Sequence, residues 1–218
     1  MNSLNTVQLI AVAALPLLFA ITVHEVAHGW VARRLGDPTA MMLGRLTLNP
    51  IKHIDPIGTV VLPIVLLIAG GFIFGWAKPV PVTFENLRNP KRDMAIVAVA
   101  GPLANLVMAL FWAVVAKLAV VLFASGSGWA AHPLLLMGEL GVSFNVILLV
   151  LNLLPIPPLD GSRIVTAFLP GPMAYQYNRL ESFGFIIIIA LLVTGIFGAL
   201  IGPPVTLIQN AIYSLFGI

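Results

Sequence analysis

The chain has 218 residues, of which 60% are hydrophobic and 9% charged, with a mean hydropathy of +1.05; soluble domains carry roughly 25% charged residues, so an ordinary water-soluble fold is excluded and an integral membrane protein is indicated. Eleven Lys and Arg against eight Asp and Glu leave a net charge of +3, too weak a bias to imply nucleic acid as a partner. With no cysteine, disulfides and thiolate ligands are excluded, and any metal site must be built from His, Asp, Glu and water.

Windows of about 20 apolar residues predict membrane spans at 6–32, 57–75, 94–116 (extending as far as 124), 134–153 and 183–201. The expected fold is therefore an all-α polytopic membrane protein of five to six transmembrane helices, with 1–218 forming a single domain. Residues 7–23 have the apolar character of a secretory signal. However, no basic residue precedes position 33 and the apolar run passes straight into His24, so a retained helix is expected.

The first span ends in His24-Glu25-Val26-Ala27-His28. Histidines four apart on a helix are offset by roughly 40° around the axis, so both imidazoles leave one face and can close on one metal ion. Glu25 falls beside them, in the place of a general base acting on metal-activated water, as in HExxH metalloproteases. Arg33, Arg34, Arg45 and Lys52 follow this span, Arg88, Lys91 and Arg92 precede the third, and Arg163 and Arg179 follow the fourth. The positive-inside rule places all three clusters in the cytoplasm and the HExxH end of the first helix near the cytoplasmic face.

That orientation creates a parity problem at 57–75, because a single crossing would strand the next basic cluster outside. The chain must return through Gly75-Trp76-Ala77-Lys78-Pro79-Val80-Pro81-Val82, where two prolines forbid a helix and an extended run covers about 25 Å, or 57–75 must be a re-entrant hairpin broken at Pro63 or Gly70-Gly71. Extended backbone at membrane depth requires a wet, protein-lined cavity. Residues 57–82, with Val80 and Val82, are thus expected to line the site, and 78–82 to offer an unwound substrate an edge for pairing. His53 and Asp55 lie in a Pro-bounded polar loop and suit turn roles better than ligation; His53 is also a candidate cavity residue and reserve base.

Further along, the fourth span runs into Asn152-Leu153-Leu154-Pro155-Ile156-Pro157-Pro158-Leu159-Asp160-Gly161. A carboxylate within the membrane costs on the order of 2.5–3.5 kcal/mol, which a metal ion would offset. Because the first and fourth spans run inward together, His24, His28 and Asp160 reach similar depth, which makes Asp160 a candidate third ligand; its alternative is an interfacial helix cap. Gly202-Pro203-Pro204 is expected to end the last helix, because proline removes a donor and clashes with the preceding turn, leaving 204–218 as a short interfacial segment.

Three motifs in order, His24-Glu25-Val26-Ala27-His28, Ala100-Gly101-Pro102-Leu103-Ala104-Asn105, and Asn152-Leu153-Leu154-Pro155 leading to Leu159-Asp160-Gly161, give the chain a resemblance to the site-2 protease family of intramembrane metalloproteases. Asn49-Pro50 to Gly58 and Gly75 to Val82 resemble the compact subgroup, without the PDZ or CBS module of longer relatives. The resemblance implies one zinc per chain bound by His24, His28 and Asp160, Glu25 as catalytic base, and Asn105 and Asn152 near the scissile peptide. It further implies transmembrane proteins as substrates, cleaved in or near their spans in a multi-pass protein of the cell membrane. Read as residues alone, Asn105 and Asn152 serve equally well as hydrogen-bonding glue between helices. Two other function classes are a metal-ion transporter, disfavoured by the absence of internal repeats, and an inactive membrane scaffold, disfavoured by the intact Glu25.

Overall fold

The computed structural model describes residues 6–61, 64, 65, 68, 75–124, 126 and 128–218, and every regular element among them is helical. Helix α1, Thr6–Leu35, carries Arg33 and Arg34 in its last turn, where cations oppose the negative end of the helix dipole. Gly36, with φ +118, stops it in a conformation that L side chains rarely adopt. A short helix α2, Thr39–Met42, a 3-10 turn at Pro50–His53 and a π-helical turn at Pro56–Val61 follow. Residues 75–82 carry no regular secondary structure, and Thr83 is extended ahead of a 3-10 turn at Phe84–Asn86.

Two long helices form the centre, α3 at Pro90–Ala124 and α4 at Gly128–Asn152. Their backbones approach closely because small residues face each other: a Cβ on Gly138 would sit 2.7 Å from the Cβ of Ala116, and one on Gly141 2.2 Å from the Trp112 ring. In a bilayer such close approach gives helix pairs their dispersion contact. Ala109, Ala113, Val142 and Val146 are fully buried in this seam. After α4 come α5 (Asp160–Phe168), α6 (Gly171–Asn178), a 3-10 turn at Arg179–Phe183, α7 (Gly184–Val193) and α8 (Ile196–Phe216).

Among the described residues, five helical stretches are long and apolar enough to cross a membrane: Gln8–Leu35, Pro90–Ala124, Ala131–Leu153, Gly171–Val193 and Ile196–Phe216. The first three match expected spans. Of the expected span 57–75, residues 62, 63, 66, 67 and 69–74 lie outside the described residues. The last two correct the sequence reading. The expected span 183–201 is interrupted after Val193 by a turn at Gly195, φ +74, and α8 then continues through Pro203 and Pro204 instead of ending there. Two hydrogen bonds are lost at the prolines, but their fixed φ is helical, and Ile201, Val205 and Ile208 pack on both sides of the pair against the α3–α4 core around Ile212. Burial across the break outweighs the two missing bonds.

Candidate active site

Helix α1 presents His24 and His28 to α3, and each imidazole is fixed from behind by its Nδ1. His24 Nδ1–H donates to Asn105 Oδ1 at 2.6 Å and His28 Nδ1–H to the carbonyl of Val97 at 2.7 Å. With the protons on Nδ1, both Nε2 atoms keep their lone pairs, and these face each other at 3.0 Å. Asp160, the first residue of α5, brings Oδ2 to 3.3 Å from His24 Nε2 and 3.2 Å from His28 Nε2. Its placement depends on Gly161, where a Cβ would lie 2.3 Å from Leu153 O, so only glycine lets α5 start against the end of α4.

Three facing lone-pair atoms without intervening protons repel one another unless a cation sits among them. Asp160 Oδ2 is buried and has no hydrogen-bond partner, an orphaned acceptor of the kind a metal would satisfy. Gly101 leaves room on the α3 side: a Cβ there would stand 2.3 Å from His28 Nε2 and 2.6 Å from His24 Nε2. The three ligand atoms lie within 4.8 Å of one another, and among the described residues they are the one His, Asp and Glu group able to hold a metal ion. The residues fit a metal with nitrogen and oxygen ligands and an open side.

That open side is a cavity of about 300 Å³. Glu25 borders it next to the metal-ligand group, and Val80, Val82 and Asn152 line it as well. The extended segment is tied down at alternate residues, as a strand-like backbone directs them. Trp76 N–H donates to Gly58 O at 3.1 Å and Lys78 N–H to His53 O at 2.9 Å, while Val80 N–H donates to Glu25 Oε2 at 2.6 Å. Arg45 Nη2 holds the other pole of Lys78 through its carbonyl at 2.9 Å. Pro79 and Pro81 occupy the intervening positions, where a missing donor breaks none of these bonds. Beyond them Thr83 N–H donates to Asp37 Oδ2 at 2.7 Å.

Asp37, fully buried, also accepts from Asn86 Nδ2 at 3.0 Å, from Thr39 N–H at 3.1 Å and from the Thr39 hydroxyl. Burial pushes its carboxyl up, but the bonds from Thr39, Asn86 and Thr83 prevail and hold it below its ordinary value.

The remaining sequence candidates separate. Asn152 reaches the cavity, with its amide nitrogen donating to Leu148 O at 3.0 Å. Asn105 is fully buried behind His24 and away from the cavity; its NH2 donates to Ala20 O at 3.1 Å and Asn145 Oδ1 at 2.9 Å. His53 is also buried and does not line the cavity: its Nε2 bonds to Thr47 O at 2.9 Å. Asn145 and Asp37 were missed from sequence. Asn145 did carry a signal, a polar residue within an apolar span.

A polytopic helical membrane protein with a His-His-Asp group open to a cavity, a glutamate beside it, is the class that fold and site define. The chain matches the model of peptidase family M50 over residues 12–133. It is 38% identical over 203 residues, 92% of its length and 88% of the relative's, to the Bacillus subtilis (strain 168) protein named "Putative zinc metalloprotease YwhC". It is 33% identical over 179 residues, 81% of its length and 64% of the relative's, to the Mycolicibacterium smegmatis protein named "Putative zinc metalloprotease Rip2". The chain belongs to peptidase family M50, the site-2 protease family. No solved structure matches it.

Proposed function

We propose that this protein is a zinc-dependent intramembrane endopeptidase that hydrolyses peptide bonds in or near the transmembrane segments of other membrane proteins. The observation that carries this reading is the convergence of His24 Nε2, His28 Nε2 and the orphaned Asp160 Oδ2 beside Glu25 at a cavity lined by Pro79, Val80 and Val82. His24, His28 and Asp160 would hold one zinc ion per chain. When bound, zinc supplies Lewis acidity, which brings the pKa of water towards neutrality and polarises a scissile carbonyl.

The rest of the chemistry falls to this chain's own groups. Glu25 takes the proton of the attacking water and delivers it to the leaving amine nitrogen, without a covalent enzyme intermediate. Val80 N–H orients the Glu25 carboxylate through Oε2, leaving Oε1 for the proton. Asn152, at the cavity wall, is placed to donate to the substrate's developing oxyanion. A helical substrate hides its peptide bonds in i to i−4 hydrogen bonds, so it must unwind, and the segment 76–82 offers extended backbone beside which an unwound strand fits. The basic clusters support a multi-pass protein of the cell membrane with this site nearer the cytoplasmic face.

The test is cleavage of candidate single-span substrates by purified wild type and Glu25→Gln, with zinc content measured on both. Zinc-bound wild type that cleaves no such substrate, or a Glu25→Gln variant that cleaves as well as wild type, counts against this reading.

A further inference from the structure

Behind His24, on the side away from the cavity, three side-chain amide bonds run in series. Asn145 Nδ2 donates to Gly141 O at 2.8 Å, Asn105 Nδ2 donates to Asn145 Oδ1 at 2.9 Å, and His24 Nδ1–H donates to Asn105 Oδ1 at 2.6 Å. Both asparagines are fully buried, so no water competes for their polar atoms.

The direction of every link is set at its far end. Gly141 O is a helix carbonyl and only accepts, so the NH2 of Asn145 must face it and its Oδ1 must face Asn105. Asn105 then meets two acceptors, Asn145 Oδ1 and Ala20 O at 3.1 Å, and must turn its NH2 to them and its oxygen to His24. A flipped Asn105 would present NH2 to His24 Nδ1, which favours the tautomer with the proton on Nε2. That proton would occupy the lone pair aimed at Asp160 and His28, and His24 would cease to be a ligand.

Resting on the zinc reading above, we infer that Asn105 and Asn145 are positioning residues that form a tautomer lock: they hold the His24 proton on Nδ1 so that Nε2 stays free for metal. In this arrangement Asn105 acts through His24 rather than on the scissile peptide, and Asn145, on α4, together with the carbonyl of Ala20 fixes which way the Asn105 amide turns. His28 needs no such relay, because Val97 O is itself a carbonyl that only accepts.

The experiment uses the full chain purified in detergent. Zinc affinity is read by competition with a chromophoric chelator. The His24 tautomer is read from nitrogen-15 shifts of labelled histidine in zinc-stripped protein. The wild type should show the His24 proton on Nδ1. Asn105→Leu, which removes the acceptor itself, should show mixed tautomers and zinc binding weakened roughly 10–100-fold, the range for losing an outer-shell partner. Asn105→Asp should keep the proton on Nδ1, because a carboxylate accepts from His24 whichever way it turns; a merely structural role for Asn105 predicts that the two substitutions leave the same tautomer. A wild-type His24 with its proton on Nε2 overturns the lock without requiring any variant to fold. Wild type that binds no zinc overturns the metallopeptidase reading, whereas wild type that binds zinc no more tightly than Asn105→Leu overturns only the lock.

Discussion

Val80 and Glu25 are joined by a hydrogen bond of 2.6 Å from the main-chain N–H of one to the carboxylate of the other, so the extended wall of the cavity and the proposed general base are a single hydrogen-bonded unit. Glu25→Gln keeps the size of the side chain and an oxygen that accepts from Val80, but it cannot take a proton from water. Zinc content should therefore match wild type while turnover falls by at least the ~10²–10⁴-fold attributed to general acid–base catalysis. Parallel metal analysis and cleavage assays check this, and appreciable residual turnover would require another base.

Asp160 supplies the carboxylate of the ligand set, so Asp160→Ala should weaken zinc binding beyond the ~10–100-fold seen for outer-shell losses. Zinc occupancy equal to wild type after dialysis would remove Asp160 from the set.

Gly101 makes a sharper prediction. Alanine is a better helix former, but its Cβ would stand 2.3 Å from His28 Nε2, where no side chain yields without moving the ligands. Gly101→Ala should retain its helical circular dichroism while losing both zinc and activity. An active, zinc-loaded Gly101→Ala protein would mean that the described approach of α3 to α1 is wrong.

In this cysteine-free chain, Val82→Cys should react with small water-soluble thiol reagents and be protected by an active-site inhibitor, since Val82 lines the cavity. Labelling that ignores the inhibitor would separate the extended segment from the site.

Asp37 predicts a pH dependence whose sign is fixed. Its carboxyl is held below its ordinary value in the folded chain, so its contribution to stability is complete above the unfolded value of about 3.9 and is lost as pH falls through the lower folded value. Asp37→Asn should be less stable near neutrality, by roughly the 1.5–3 kcal/mol of hydrogen bonds to a charged group, and should show a flatter acid limb. Thermal unfolding in detergent from about pH 7 to about pH 3 reads both.

Much of this site was legible because its chemistry is conspicuous in lipid. His24, Glu25, His28 and Asp160 are ionisable residues in apolar sequence, where each needs a partner, and helical spacing already placed the histidines on one face. The prolines at 79 and 81 likewise announced an extended segment. What escaped was set by neighbours distant in sequence. Val97 contributes only a carbonyl, which any residue would supply. Asn105 looked equally fit for catalysis or packing until Asn145, 40 positions away, fixed which way its amide turns. Asp37 carries no signal in the sequence because Thr83 and Asn86 come near it only after the chain has returned. At Pro203 and Pro204 the local rule failed for the converse reason: packing on α4 kept helical a stretch that propensity alone would break.

The extended segment is moored to Glu25 within α1 and to Asp37 just beyond its end, and α1 also carries both histidines. Bilayers differ in thickness, and helices accommodate the mismatch by tilting. A tilt of α1 carries both histidine ligands, the base and both moorings of the cavity wall together, so the distance from Glu25 to the segment is inherited from one helix.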